Sequence, residues 1–183
     1  MPPHSAARRR PRPPLTPTSL NELALFYVGR FATSRAKLAS YLERKLRERG
    51  WEGAAEPDPQ TIAERMAELG YIDDRAFASS KARSLLSRGY GERRVGDALH
   101  AAGIADADGA DARRECGEGA VDAALRFARR RRIGPFAEQI PDQAARQKMI
   151  AAMLRAGHRM ELARRIVAME PGSQIDPDCL RDG

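Results

Sequence analysis

The stretch Gly70-Tyr71-Ile72-Asp73-Asp74-Arg75-Ala76-Phe77-Ala78 decides how the chain is read. Gly70 can take the left-handed conformation that closes a helix, and Tyr71 can fold back on its last turn. Asp73 or Asp74 can accept bonds from the open N–H groups of a following helix, whose positive end also favours acids. Phe77 and Ala78 then open the buried stripe of that helix. Two adjacent acids also fit a metal or acid–base site. No third ligand or paired base stands near them, so capping is preferred.

Outward from this seam the chain reads as helix after helix. Leu20, Leu23, Ala24, Tyr27, Val28 and Phe31 follow helical spacing, which predicts a first helix over 20–31. Thr33 or Ser34 can cap a second, lined by Leu38, Tyr41, Leu42 and Leu46 and ending at Gly50-Trp51. Asp58 caps a third, with Pro59 at its first position and Ile62, Met66 and Leu69 on its buried face. The opening stretch starts a fourth over 74–88, with Phe77, Ala78, Ala82, Leu85 and Leu86 inward. A fifth, 92–102, carries Val95, Ala98 and Leu99. Residues 105–118 mix Ala, Asp and Gly with no apolar period and read as a flexible loop. Three more helices follow, over 119–132, 142–156 and 159–169. No alternating strand pattern occurs, so the fold class is all-α.

Five of these helices end in Gly followed by a large residue: Gly50-Trp51, Gly70-Tyr71, Gly89-Tyr90, Gly103-Ile104 and Gly157-His158. Leu85-Leu86-Ser87-Arg88-Gly89-Tyr90 matches Met153-Leu154-Arg155-Ala156-Gly157-His158. Leu38 and Leu42 likewise correspond to Val95 and Leu99, and these to Ala163 and Val167. The pattern predicts tandem three-helix repeats. Repeats at 20–71 and 72–135 are complete, and one at 141–170 is truncated. Residues 171–183 form a polar tail. Units that touch mainly their neighbours make an elongated, curved molecule.

The 183 residues are 42% hydrophobic but only 5% aromatic, so much of the core is Ala between closely approaching helices. The formal net charge of +7 favours a phosphate polymer or an acidic protein face. Residues 1–19 hold Arg8, Arg9, Arg10 and Arg12 among six prolines with no acid, which predicts a disordered tail. Cys116 and Cys179 sit in no CxxC and near no His, a pattern that indicates neither a zinc site nor a disulfide framework. The N-terminal arginines are followed by no apolar segment, so no signal peptide is expected, and no stretch approaches the ~18 apolar residues of a membrane span. A cytoplasmic chain, without membrane association, is expected.

A catalytic reading has little to stand on beyond the Asp73-Asp74 pair. His4, His100 and His158 share no motif with a nucleophile, and no phosphate-cradling Gly-rich loop occurs. No catalytic residue, metal or cofactor is assigned. His158 falls where the repeat places an aromatic, and reads as a packing residue. The basic clusters carry more information. Arg129, Arg130, Arg131 and Arg132 point nearly all round a helix, since successive residues are ~100° apart. They therefore mark an exposed helix end, where positive charge also suits the dipole. Arg88, Arg93 and Arg94 flank the Gly89-Tyr90-Gly91 turn. Arg155, Arg159, Arg164 and Arg165 flank the matching turn at Gly157, and Arg30, Arg35 and Lys37 the first. Basic residues recurring at one junction of stacked units form a stripe. Trp51 and Tyr90 could stack on bases, though their place after Gly suits helix closure better.

Gly70 to Ala78, together with Ser87-Arg88-Gly89-Tyr90-Gly91-Glu92-Arg93-Arg94-Val95 and Leu99 through Gly103-Ile104, resembles the RecX family of regulatory proteins. The likeness extends over 20–170. It departs from the family at the long 105–118 segment, at His158 and in the Arg–Pro tail. The resemblance implies a non-enzymatic modulator of the RecA recombinase, built of tandem three-helix repeats. It implies binding in the groove of the RecA–single-stranded-DNA filament, with lower ATPase, strand-exchange and coprotease activity, in DNA repair, recombination and the SOS response. Single- or double-stranded DNA is a further partner in some members. A monomer is expected. The residues assigned to RecA or DNA are the basic residues Arg30, Arg35, Lys37, Arg88, Arg93, Arg94, Arg129, Arg130, Arg131, Arg132, Arg155, Arg164 and Arg165. Gly70, Tyr71, Asp73, Asp74, Phe77, Gly89 and Tyr90 are the structural signature. A general helical DNA-binding protein acting by charge alone is the alternative.

Overall fold

The structure, a computed structural model, describes residues 12–181. These fall into two compact units that divide between Asp73 and Asp74. Among the described residues there are ten α-helices and one short 3-10 turn, with no strand.

The first unit holds α1 (Pro17–Arg30), α2 (Arg35–Arg49) and α3 (Pro59–Glu68). Each begins at a side-chain cap. Thr16 and Ser19 form a reciprocal capping box, Ser19 Oγ accepting from the Thr16 amide at 2.8 Å. Ser34 accepts from the Lys37 amide at 3.3 Å. Asp58 accepts from the amides of Gln60 and Thr61 and from the Thr61 hydroxyl, bonds that hold its carboxyl below the usual range. Leu15, Leu20, Ala24, Leu38, Leu42, Ala63, Met66 and Ile72 make the core.

Three expectations change here. Leu15 is fully buried, and its amide and carbonyl bond Gly50 and Glu52 at 3.0 and 2.8 Å. The predicted disordered tail over 1–19 therefore does not extend to residues 13–19, because Leu15 has apolar surface to bury and Thr16 a helix to cap. Arg8, Arg9 and Arg10 lie outside the described residues. Trp51 is held in this bridge rather than closing α2, and its indole N–H donates to the Ala55 carbonyl at 2.8 Å. Leu69 and Tyr71, read as packing residues, are exposed at 51% and 56%. The residue that turns inward is Ile72, 5% exposed, one place further along the seam.

The second unit comprises α4 (Asp74–Ser87), α5 (Glu92–His100), α6 (Asp106–Glu118), α7 (Ala120–Arg131), the 3-10 turn Gly134–Phe136, α8 (Gln143–Arg155), α9 (Met160–Ala168) and α10 (Pro177–Arg181). The predicted flexible loop 105–118 is helix α6. Its buried face is Gly109, Ala112 and Cys116, which packs with Ala78 and Ala82 of α4. Small side chains on both helices permit close approach without a stripe of large apolar residues. Asp106 and Asp108 in its first turn suit the positive helix end. Gly119 separates α6 from α7 by a single residue. The predicted polar tail likewise contains α10, which buries Leu180 against the cluster of Val121, Ala124, Phe127, Met153 and Ile166.

Phe77 is only partly buried against the cluster of Ala82, Leu86, Val95 and Leu99. Phe77→Ala is therefore expected to cost about 2 kcal/mol, below the ~3–5 of a fully enclosed Phe. Urea denaturation of the variant checks this, and a loss above ~4 kcal/mol would show that Phe77 is enclosed.

Candidate functional site

Four of the predicted glycine closures carry the same pair of backbone bonds. The amides of Tyr71, Tyr90, Ile104 and His158 reach back to the carbonyls of Met66, Leu85, Leu99 and Met153. The preceding glycines donate to Ala67, Leu86, His100 and Leu154, completing Schellman closures. α7 closes in the same way on a non-glycine: Arg132 is left-handed, with φ 54°, and the Ile133 amide bonds the Ala128 carbonyl at 2.9 Å.

Two closures, Gly89-Tyr90-Gly91 and Gly157-His158, are pressed against each other. The Gly91 amide donates to the Ala156 carbonyl at 2.9 Å, and the Arg93 amide to the Gly157 carbonyl at 3.2 Å. The Arg93 guanidinium donates to the Leu154 carbonyl at 3.1 Å. The open donors at the start of α5, which has no side-chain cap, thus meet carbonyls at the end of α8. A Cβ on Gly91 would stand 2.5 Å from the His158 amide nitrogen, and one on Gly157 2.5 Å from that of Arg94. Only glycine fits at either position.

His158 seals this contact. It is 6% exposed and its ring lies 5.5 Å from that of Phe127. Nε2 is 3.1 Å from the Gly89 carbonyl, which can only accept, so Nε2 carries the proton. Burial pushes the imidazole pKa down, and the Gly89 carbonyl opposes this only in part. A group whose folded pKa is lowered stabilises the fold above its ordinary value of 6.5. That stability is lost as pH falls from there through the folded value. Thermal melts of the native chain are expected to lose stability over this window, and His158→Phe to flatten the dependence. An unchanged slope in His158→Phe would assign the effect to other groups.

The interlocked turns gather the arginines. Arg130, exposed on α7, donates to the Arg88 carbonyl at 2.7 Å. The Arg130 and Arg131 guanidinium carbons lie 5.6 and 5.9 Å from the centre of the Phe127 ring. Arg94 sits 5.9 Å from the Tyr90 ring, and Arg129 5.0 Å from that of Phe136. Tyr90, Phe127, Arg130, Arg131, Ala152, Arg155 and Ala156 line one cleft of about 500 Å³. Arg88, Arg93, Arg94, Arg129, Arg130, Arg131, Arg155 and Arg164 are all exposed, and none forms an ion pair among the described residues.

Other predicted residues are engaged differently. Arg132 pairs with Glu138, Arg159 pairs with Glu92 at 2.8 Å, and Arg165 donates to the Cys179 carbonyl. Arg30, Arg35 and Lys37 stand at the α1–α2 junction of the first unit, Arg30 lying 5.8 Å from the Phe31 ring. Phe127, the platform under two arginines, was not singled out in the sequence. Its signal is a lone large aromatic two places before an arginine run.

A second cleft of about 540 Å³ lies beside Glu92, Arg93, Arg113, Cys116, His158 and Arg159. Burial pushes the Cys116 thiol up to about 11, so it is neither nucleophile nor thiolate ligand at neutral pH. Asp73 stands at the cap position of α4 and Asp74 is its buried first residue. No group of three His, Cys, Asp or Glu side chains that could hold a metal occurs among the described residues. None of their helices is long and apolar enough to cross a membrane.

These features define an all-helical protein with exposed arginines, free of ion pairs among the described residues, beside two interlocked backbone turns. No family model matches the chain. It is 31% identical over 173 residues to the regulatory protein RecX of Myxococcus xanthus (strain DK1622), covering 89% of this chain and 91% of that relative. It is 28% identical to the regulatory protein RecX of Mycobacterium sp. (strain JLS) over 92% of each chain, and 27% identical to that of Agrobacterium fabrum (strain C58 / ATCC 33970) over 80% of each. The crystal structure of RecX from Lactobacillus salivarius superposes with a TM-score of 0.58 at 20% identity, over 82% of this chain and 93% of that one, and so shares the fold. The chain belongs to the RecX family of regulatory proteins.

Proposed function

We propose that the chain is a non-enzymatic regulator of the RecA recombinase. It binds the RecA–single-stranded-DNA filament, restrains its growth or promotes its loss, and lowers ATPase, strand-exchange and coprotease activity. The observation that carries this reading, beside family membership, is the junction where Arg88, Arg94, Arg130, Arg131 and Arg155 converge with no paired carboxylate. Several arginines elsewhere meet acids: Arg44 meets Glu48, Arg65 Glu68, Arg83 Glu115 and Arg113 Asp106. Several unpaired arginines close together repel one another, a cost that an anionic partner removes. The protein acts as a cytoplasmic monomer in this reading.

The test mixes the chain with RecA, single-stranded DNA and ATP at low salt. Sub-stoichiometric chain is expected to reduce ATP hydrolysis and strand exchange, and to bind filaments in preference to naked DNA. Unchanged ATP hydrolysis would sink the proposal. Equal binding to filaments and naked DNA, weakening by ~0.7 log units per log unit of salt for each phosphate contacted, would favour a DNA-binding protein acting by charge alone.

A further inference from the structure

We infer that the cleft between α7 and α8 is a binding site for a compact polyphosphate, of the class of nucleoside di- and triphosphates. It goes beyond the filament reading and does not depend on it.

The first observation is charge. Arg130 and Arg131 project from α7 and Arg155 from α8 into one cleft of about 500 Å³, and no acidic residue lines it. Three cations around so small a space repel one another. A single carboxylate offsets only part of that charge, whereas linked phosphates bring several negative oxygens to one place. The second observation is placement. The Arg130 guanidinium is held by the Arg88 carbonyl at 2.7 Å, and both it and Arg131 lie against the Phe127 ring. Their forks are thus partly ordered before any ligand arrives, which lowers the entropy lost on binding. The guanidinium fork also matches phosphate oxygens two at a time. The third observation is the wall. Tyr90 is half-buried at the edge of the cleft, beside Ala152 and Ala156. This gives an apolar surface for a nucleobase next to the cationic end, and rings receive any base by stacking.

The experiment is calorimetric titration of the full chain at low salt with inorganic pyrophosphate, with ADP, and with a single-stranded oligonucleotide. Pyrophosphate and ADP are expected to bind one per chain, ADP at least threefold tighter because its base adds the Tyr90 contact. Arg131→Ala with Arg155→Ala is expected to weaken both at least tenfold. Arg47→Ala, which removes a charge paired with Glu43 in the first unit, should leave both unchanged. Absence of binding by pyrophosphate and ADP overturns the inference. So does equal weakening by Arg47→Ala, which would mean attraction to net charge alone. Binding of the oligonucleotide only would also overturn it, and would assign the cleft to a phosphodiester backbone. A chain that inhibits RecA filaments yet ignores both small anions leaves the filament reading intact and removes this one.

Discussion

Gly91→Ala is expected to destabilise the second unit by about 3 kcal/mol. The reason is what surrounds the position. An alanine Cβ there would meet the backbone of Gly157 and, at 2.5 Å, the His158 amide nitrogen, and backbone cannot rotate away as a flexible side chain can. The two turns must separate. Separation stretches the bond from the Gly91 amide to the Ala156 carbonyl and that from the Arg93 amide to the Gly157 carbonyl. It also opens the burial of His158 against Phe127. Groups left unsatisfied in this way each cost about 1–3 kcal/mol unless water reaches them. Gly96→Ala is the contrast. It sits inside α5 with no atom within 4 Å of an added Cβ, so the helix is expected to gain about 0.5–1 kcal/mol. Denaturant unfolding of both variants checks the pair. A Gly91→Ala loss under ~1 kcal/mol would show that the turns are not locked.

This interlock shows which parts of the structure were legible in the sequence. Gly followed by a large residue marked helix ends, because a left-handed closure favours glycine and its bonding pattern is local. The matching of Leu85 to Tyr90 with Met153 to His158 is visible in the bonds of the two turns. That one turn would be pressed on the other was not legible. The contact is made by backbone atoms, and glycine's missing side chain looks the same whether it permits a positive φ or a close approach. Gly91, which does not have a positive φ, is the case of approach. Helix α6 was missed for a related reason. Its buried face of Gly109, Ala112 and Cys116 has helical spacing, but small residues carry little hydrophobic signal. The acids of its first turn then read as a loop. Arg129 to Arg132 were placed at an exposed helix end by geometry alone, and they are there. Their separate fates were not legible, since whether an arginine meets a carboxylate depends on chain distant in sequence. Arg132 finds Glu138, whereas Arg131 finds the face of Phe127.

Replacing Arg88, Arg131 and Arg155 together with Ala is expected to weaken binding to the RecA–DNA filament about a hundredfold at low salt. Three charge-assisted contacts at about 1 kcal/mol each amount to roughly that factor. The salt dependence should flatten by about 2 log units per log unit of salt if all three meet single-strand phosphates. These three are chosen because their side chains hold no backbone carbonyl, unlike Arg93 on Leu154 and Arg130 on Arg88. The melting temperature should therefore be unchanged, which a variant of Arg93 cannot promise. The control removes the same charge elsewhere: Arg44, Arg47 and Arg65 of the first unit, which pair with Glu48, Glu43 and Glu68. Both variants lower the net charge by the same amount. If attraction is a matter of net charge, both lose equal affinity. If it depends on arginines left without carboxylates at an interlocked junction, only the first does. Surface pairs such as those of the control contribute little to stability, so their removal tests charge without disturbing the fold. Equal loss in the two variants would overturn the assignment of the junction and leave a polyanion binder with no particular site.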